Sequence, residues 1–205
     1  MTKFYLVRHG QTLGNVKGIS QGITNTSISY LNDTGKLQIK ELHQHFDIGF
    51  ADRIIVSPLI RTKQTAAILN QDANLPYQED SRILEISYGD WDGHLKSELK
   101  NDYPDLFSNE TGDVVPAYAS VAHGETFEDV EHRVSDFMND ITEHFPDESI
   151  IVVTHGFTIR SFVVAALQVQ DPFVIPEPDN GSVTSISVDA ISDQRVLNYF
   201  NRVYQ

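Results

Sequence analysis

The chain predicts an α/β fold: a three-layer α/β/α sandwich around a mostly parallel sheet with an antiparallel edge strand. Three observations carry this. Short apolar runs at 3–7, 53–56 and 149–153 alternate with stretches of helical spacing. Two of those runs lead into the same dipeptide, His9-Gly10 and His155-Gly156. The carboxyl-terminal segment reads as two alternating strands, 183–188 and 194–204, forming a hairpin.

The elements follow in order. Lys3-Phe-Tyr-Leu-Val7 is a strand that delivers Arg8, His9 and Gly10 to its carboxyl end, where ligands of open α/β sheets sit and where glycine lets backbone approach an anion. Gln11 to Asn32 is a polar loop, from which Gln11, Thr12, Asn15, Gln21 and Gly22 help line a site. Asp33-Thr34 starts a helix expected to turn Leu37, Ile39, Leu42 and Phe46 towards the sheet. His43 and His45 are two apart and diverge on that helix, a poor arrangement for metal ligands. Arg53–Val56 is a buried strand ending at Ser57-Pro58, and the helix 59–69 that follows carries Arg61 in its first turn. A cation there opposes the helix dipole, and a bound phosphate reverses the cost.

Segments 75–79 and 82–84 read as short extended pieces, with Glu85 closing the second. The stretch 86–122 is irregular and rich in glycine and aromatics, which suits a lid-like insertion. Its Tyr88, Trp91, Tyr103, Phe107 and Tyr118 either receive an apolar part of a substrate or pack against one another. Thr126 opens the clearest helix, with Asp129 completing a capping box. Phe127, Val130, Val134, Phe137, Met138, Ile141 and Phe145 make one apolar stripe along it. Residues 150–169 are a buried strand and helix, since His155 and Arg160 interrupt the run as a membrane span.

At 205 residues the chain is expected to be a single domain over 1–205. A formal net charge of -14 sets its surface against nucleic acid and anionic membranes, so any anion must be held by a local cluster of arginines. There is no cysteine, hence no disulfide and no thiolate chemistry. The start of the chain lacks the pattern of a secretory signal, and the expected location is cytoplasmic. No histidine pairs with a carboxylate at ligand spacing, so no metal and no cofactor are expected. Oligomeric state is not legible.

Arg8, His9, Arg61, Glu85 and His155 all follow strand-like segments, and in this fold they converge. Two guanidiniums and two imidazoles suit a phosphate monoester, since charge-assisted arginine contacts are the strong kind. In this reading His9 is the nucleophile and Glu85 the acid that releases the alcohol, then the base that activates water. His155 holds phosphoryl oxygens as charge develops.

Five motifs then fall into a known order: Leu6-Val-Arg8-His9-Gly10-Gln-Thr12-Leu-Gly-Asn15, Ser57-Pro-Leu-Ile-Arg61-Thr-Lys-Gln-Thr65, Ile83-Leu-Glu85-Ile-Ser-Tyr-Gly89-Asp-Trp-Asp-Gly93, Gly124-Glu-Thr126 and Thr154-His155-Gly156. Together they resemble the histidine phosphatase superfamily, in its phosphoglycerate mutase-like branch, over nearly the whole chain. The resemblance implies a phosphohistidine on His9 and phosphate contacts from Arg8 and Asn15, with Gln21, Gly22, Arg61, His155 and Gly156 around the same anion. It also implies a metal-independent phosphatase acting on a small phosphorylated metabolite. A phosphoglycerate mutase and a phosphate-binding module without turnover are the alternatives. Phe157 departs from the pattern, standing where family phosphatases often carry a second glycine, and predicts a bulkier wall or a changed helix entry.

Overall fold

Strand β1 (Thr2–Arg8) lies in the middle of a six-stranded sheet. Its neighbours are β4 (Ser149–Thr154), which runs parallel to it, and β5 (Val183–Val188), which runs antiparallel. Beyond β4 come β2 (Arg53–Val56) and β3 (Tyr77–Glu79), both parallel, and beyond β5 comes β6 (Arg195–Arg202), so the order is β3-β2-β4-β1-β5-β6. Only β5 runs against the other strands; the terminal hairpin supplies the antiparallel edge. The computed structural model describes residues 1–204.

Alternation along the central strands sends side chains to two helical layers, which is why these strands are apolar on both faces. Phe4, Leu6, Ile150 and Val152 pack with α6 (Phe127–His144) and α7 (Gly156–Leu167). Val7, Ile54, Val56, Ile151 and Val153 pack on the opposite face with Ile39 and Leu42 of α2 (Asp33–His45) and Ala66 and Leu69 of α3 (Ile60–Leu69). The apolar stripe of α6 is buried from Phe127 to Ile141, and Thr126 and Asp129 cap it reciprocally. Phe137, fully buried between Phe4 and Phe162, is worth about 3–5 kcal/mol against alanine.

Three expectations need correction. The 11–32 stretch is not a plain loop: Thr12 and Asn15 form a capping box that starts α1 (Leu13–Lys17), and Gly18 ends it in the left-handed conformation. Leu37 points away from the sheet at 57% exposure, leaving Ile39 and Leu42 as the core face of α2. Of residues 82–84 only Leu84 is extended. The Asp80 carboxylate accepts from Arg82 N and pairs with its guanidinium, which winds Ser81–Ile83 into a 3-10 turn.

The 86–122 segment includes two short helices, α4 (Lys96–Asp102) and α5 (Tyr118–Ala122). Its aromatics pack on one another: Trp91 stacks on Phe107 at 5.9 Å between centroids and contacts Tyr103 and Tyr118. Trp91, Phe107 and Tyr118 belong to the same apolar cluster as α6. No helix among the described residues is long and apolar enough to cross a membrane.

Candidate active site

The register of the sheet builds the site. Arg8 of β1 pairs with Thr154 of β4, so the next residue on each strand, His9 and His155, emerges side by side with ring centroids 5.3 Å apart. Val56 of β2 pairs with Val153, which places Ser57 beside them. Helix α3 starts three residues later and brings Arg61 in from its first turn. Glu85 arrives from the far side, its backbone fixed by two threonines of the β4–α7 unit. Thr154 Oγ1 donates to Ile83 O at 2.7 Å and Thr158 Oγ1 to Leu84 O at 2.7 Å.

Gly10 is required by packing. A Cβ on it would lie 2.5 Å from Gly35 O, because the start of α2 packs directly against the turn after β1. The Gly10 N–H is spent on Thr65 Oγ1 at 3.1 Å, so close backbone approach here serves the protein's own frame.

His9 is almost fully buried. Its Nδ1 lies 2.8 Å from Gly10 O, an acceptor only, so Nδ1 carries the proton and Nε2 keeps its lone pair. Burial, then Arg61 and Arg8, hold this imidazole well below its ordinary 6.5, so it is neutral at physiological pH. His155 is held low by burial, Arg61 and His9. Arg61 Nε donates to His155 Nδ1 at 3.1 Å, which leaves the proton on Nε2, donated to Ser57 Oγ at 2.7 Å. Both nitrogens of His155 are thus engaged inside the protein, and a phosphoryl oxygen reaching Nε2 must take over the bond given to Ser57.

Arg61 also donates to Gly22 O at 2.7 Å and Thr24 O at 3.2 Å, and burial pulls it down to about 10. It remains a cation at neutral pH. Glu85 accepts from Thr158 N at 3.2 Å, and its Oε1 lies 3.1 Å from Thr158 Oγ1, whose proton goes to Leu84 O. Burial, then the nearby Glu177 carboxylate, push it above its ordinary 4.5 against the pull of Arg61 and Arg8.

These groups open onto a cleft of about 180 Å³ lined by Arg8, His9, Asn15, Gln21, Gly22, Arg61 and Glu85. Tyr88, alone of the five aromatics offered as substrate contacts, lines it too, as do Lys96 and Glu177, which were not among the sequence candidates. His155 and Gly156 stand behind the lining: Gly156 packs against the Arg8 guanidinium, where a Cβ would meet Cζ at 2.8 Å. Phe157 is not a wall of the cleft. It packs edge-on to Phe127 at 4.7 Å, under the Arg160 guanidinium. Trp91, Tyr103, Phe107 and Tyr118 do not line the cleft either. Glu177 gave only a weak signal, an isolated carboxylate between Pro176 and Pro178; Thr158 gave its place one turn after His155. No cluster of three or more His, Asp or Glu among the described residues could hold a metal ion.

A neutral buried imidazole, two arginines and a carboxyl of raised pKa around one small cleft are the apparatus of a phosphoryl-transferring hydrolase. The chain matches the histidine phosphatase superfamily (branch 1) over residues 4–201 and belongs to that family. It is 32% identical over 169 residues to phosphoserine phosphatase 1 of Hydrogenobacter thermophilus, covering 82% of this chain and 78% of that one. It is 31% identical over 191 residues to a 2,3-bisphosphoglycerate-dependent phosphoglycerate mutase of Rhizobium etli, covering 87% of each. Among solved structures, a phosphoserine phosphatase mutant of Entamoeba histolytica in complex with phosphoserine superposes with a TM-score of 0.81 at 27% identity, covering 99% of this chain and 98% of that one.

Proposed function

We propose that the cleft hydrolyses a small phosphate monoester in two steps through a phosphohistidine on His9. The Nε2 lone pair of His9 forms a bond to phosphorus as the bond to the ester oxygen breaks, and the departing oxygen takes its proton from Glu85. Glu85, now a carboxylate, removes a proton from water; the hydroxyl oxygen bonds to phosphorus, the phosphorus–nitrogen bond breaks, and inorganic phosphate leaves. Arg8, Arg61 and Asn15 hold the phosphoryl oxygens. His155 aligns Arg61 and exchanges its Ser57 hydrogen bond for one to the phosphoryl group. The observation that carries this reading is the His9 tautomer, since the 2.8 Å contact to Gly10 O leaves the other nitrogen as the nucleophile.

Residues 1–205 act as one catalytic domain in this reading, with the 86–122 insertion contributing Tyr88 and Lys96 to the cleft as a lid-like wall. Lys96, whose Nζ pairs with Asp113 at 3.0 Å, would turn from it to a carboxylate on the leaving group. With relatives named for phosphoserine, O-phosphoserine is the first substrate to test, as a soluble cytoplasmic metabolite. The test is a panel of phosphorylated metabolites assayed with excess EDTA. O-phosphoserine hydrolysis by the wild type, and background rates for His9→Ala, support the reading; undiminished turnover in His9→Ala refutes it. The Rhizobium relative makes mutase activity the second reading, and interconversion of 3- and 2-phosphoglycerate well above hydrolysis would establish that instead.

A further inference from the structure

Glu177 follows α7 in the segment Pro176-Glu177-Pro178, and no motif points to it. The fold nonetheless brings its carboxylate into the catalytic cleft. Its Oε2 lies 3.5 Å from Nη2 of Arg8, while Nη1 of Arg8 donates to the Pro178 carbonyl. Two of the three guanidinium nitrogens are therefore engaged by Glu177-Pro178, and the third, the buried Nε, has no partner in the protein. The same carboxylate presses on the first residue of α7, so closely that a Cβ on Gly156 would lie 2.4 Å from Oε2.

We propose that Glu177 is a positioning residue for the hydrolytic reaction: it holds Arg8 against the start of α7, cedes the guanidinium to the incoming phosphate, and is the second carboxylate against which Glu85 works. The cleft then contains two carboxylates and receives a dianion. The groups facing Glu177 are Arg8 and His9 from the end of β1, Arg61 from α3, Glu85 and Tyr88 from the segment after the Ser81–Ile83 turn, and Lys96 from α4. Helix α7 offers only the backbone of Gly156. A like charge nearby disfavours ionisation, and after burial Glu177 is the largest influence holding Glu85 up. Glu85 thereby keeps the proton that the departing alcohol needs, while substrate binding works against the Glu177 grip on Arg8.

The two consequences have opposite signs for binding and for chemistry, which a packing role would not produce. The inference rests on Glu85 as the acid, so the experiment carries Glu85→Gln beside the Glu177 variants. Full-length enzymes are compared in kcat/KM for phenyl phosphate from about pH 5 to about pH 9, and in competitive inhibition by inorganic phosphate. The second ionisation of the phosphate, near about 6, is common to all variants and cancels. Glu177→Gln is expected to move the alkaline limb down by about one pH unit and to tighten inhibition by phosphate about three- to tenfold. Glu177→Asp, which keeps the charge but draws it back from Arg8, is expected to keep the wild-type limb and tighten phosphate. A limb and an inhibition constant both unmoved in Glu177→Gln, with Glu85→Gln severely impaired, overturn the proposal. So does a limb displaced as far in the Asp variant as in the Gln variant. Undiminished turnover in Glu85→Gln overturns the acid assignment itself, and the proposal with it.

Discussion

Gly156→Ala separates the geometry of the phosphate cradle from the stability of the fold. The new Cβ would lie 2.4 Å from Glu177 Oε2, 2.8 Å from Arg8 Cζ and 3.0 Å from Arg8 Nε. Carbon atoms in contact sit about 3.5–4.0 Å apart, so the guanidinium must retreat by roughly 0.7–1.2 Å or the start of α7 must lift away. Glu177 can swing aside into the cleft, but Arg8 is tied to the Pro178 carbonyl and cannot yield cheaply. A displacement of about 1 Å at a substrate-orienting group costs on the order of 10²-fold in rate. Overpacking costs about 1–3 kcal/mol in stability, and because Gly156 is the first residue of α7, alanine there returns less than the about 0.5–1 kcal/mol of a mid-helix position. The expected variant has kcat/KM for phenyl phosphate lowered about 10²-fold with a melting temperature lower by only a few degrees. Gly112→Ala is the control. Its φ is +71° with nothing within 4 Å of a built Cβ, so it costs stability alone, about 1–2 kcal/mol. If Gly156→Ala keeps kcat/KM within about threefold of wild type, the claim that Arg8 is held in a fixed productive position is wrong.

Two further predictions concern protons. Glu85→Gln should lower kcat/KM by about 10²–10⁴-fold and yet melt higher than wild type on the alkaline side. Because the folded state raises this carboxyl above 4.5, its stabilising protonated form is fully present below that pH and is lost as pH rises through the folded value. The gain from Gln should therefore vanish towards about pH 4, and a constant gain at every pH would contradict the titration argument. His9 and His155 behave in the opposite sense. Both are held below 6.5 in the fold, so the stability of their neutral forms is present above that pH and is lost as pH falls through the folded values. Melting temperature should decline on acidification below about 6.5, and His155→Asn should flatten the decline; an unchanged slope in that variant would count against it.

The parallel strands β1, β2 and β4 were legible because each is an apolar run ending in a polar group, and strand ends in this fold lie at one rim. That His9 and His155 emerge side by side follows from β1 and β4 being neighbours in register, a pairing the shared His-Gly ending hinted at but could not prove. Helix α1 was hidden because Gly14 and Asn15 are poor helix formers, and only the Thr12–Asn15 cap makes five residues helical. Arg82 looked extended because its turn is made by the Asp80 side chain and not by backbone preference. Phe157 looked like a wall because its position beside His155-Gly156 says nothing of which way it faces. Its burial against Phe127 depends on α6, which is distant in sequence. Glu177 gave little signal for the same reason: it reaches Arg8 across 169 positions, on a segment whose course is set by prolines and tertiary contact rather than by a period.

The central claim is that His9 Nε2 carries the phosphoryl group between the two steps. Rapid quenching of the enzyme during turnover of a labelled phosphate ester, followed by peptide mapping under alkaline conditions, tests it directly. One phosphoryl group on the peptide containing His9, labile to acid and absent in His9→Ala, is the predicted result. Label on another residue, or steady turnover with His9 never labelled, would contradict it.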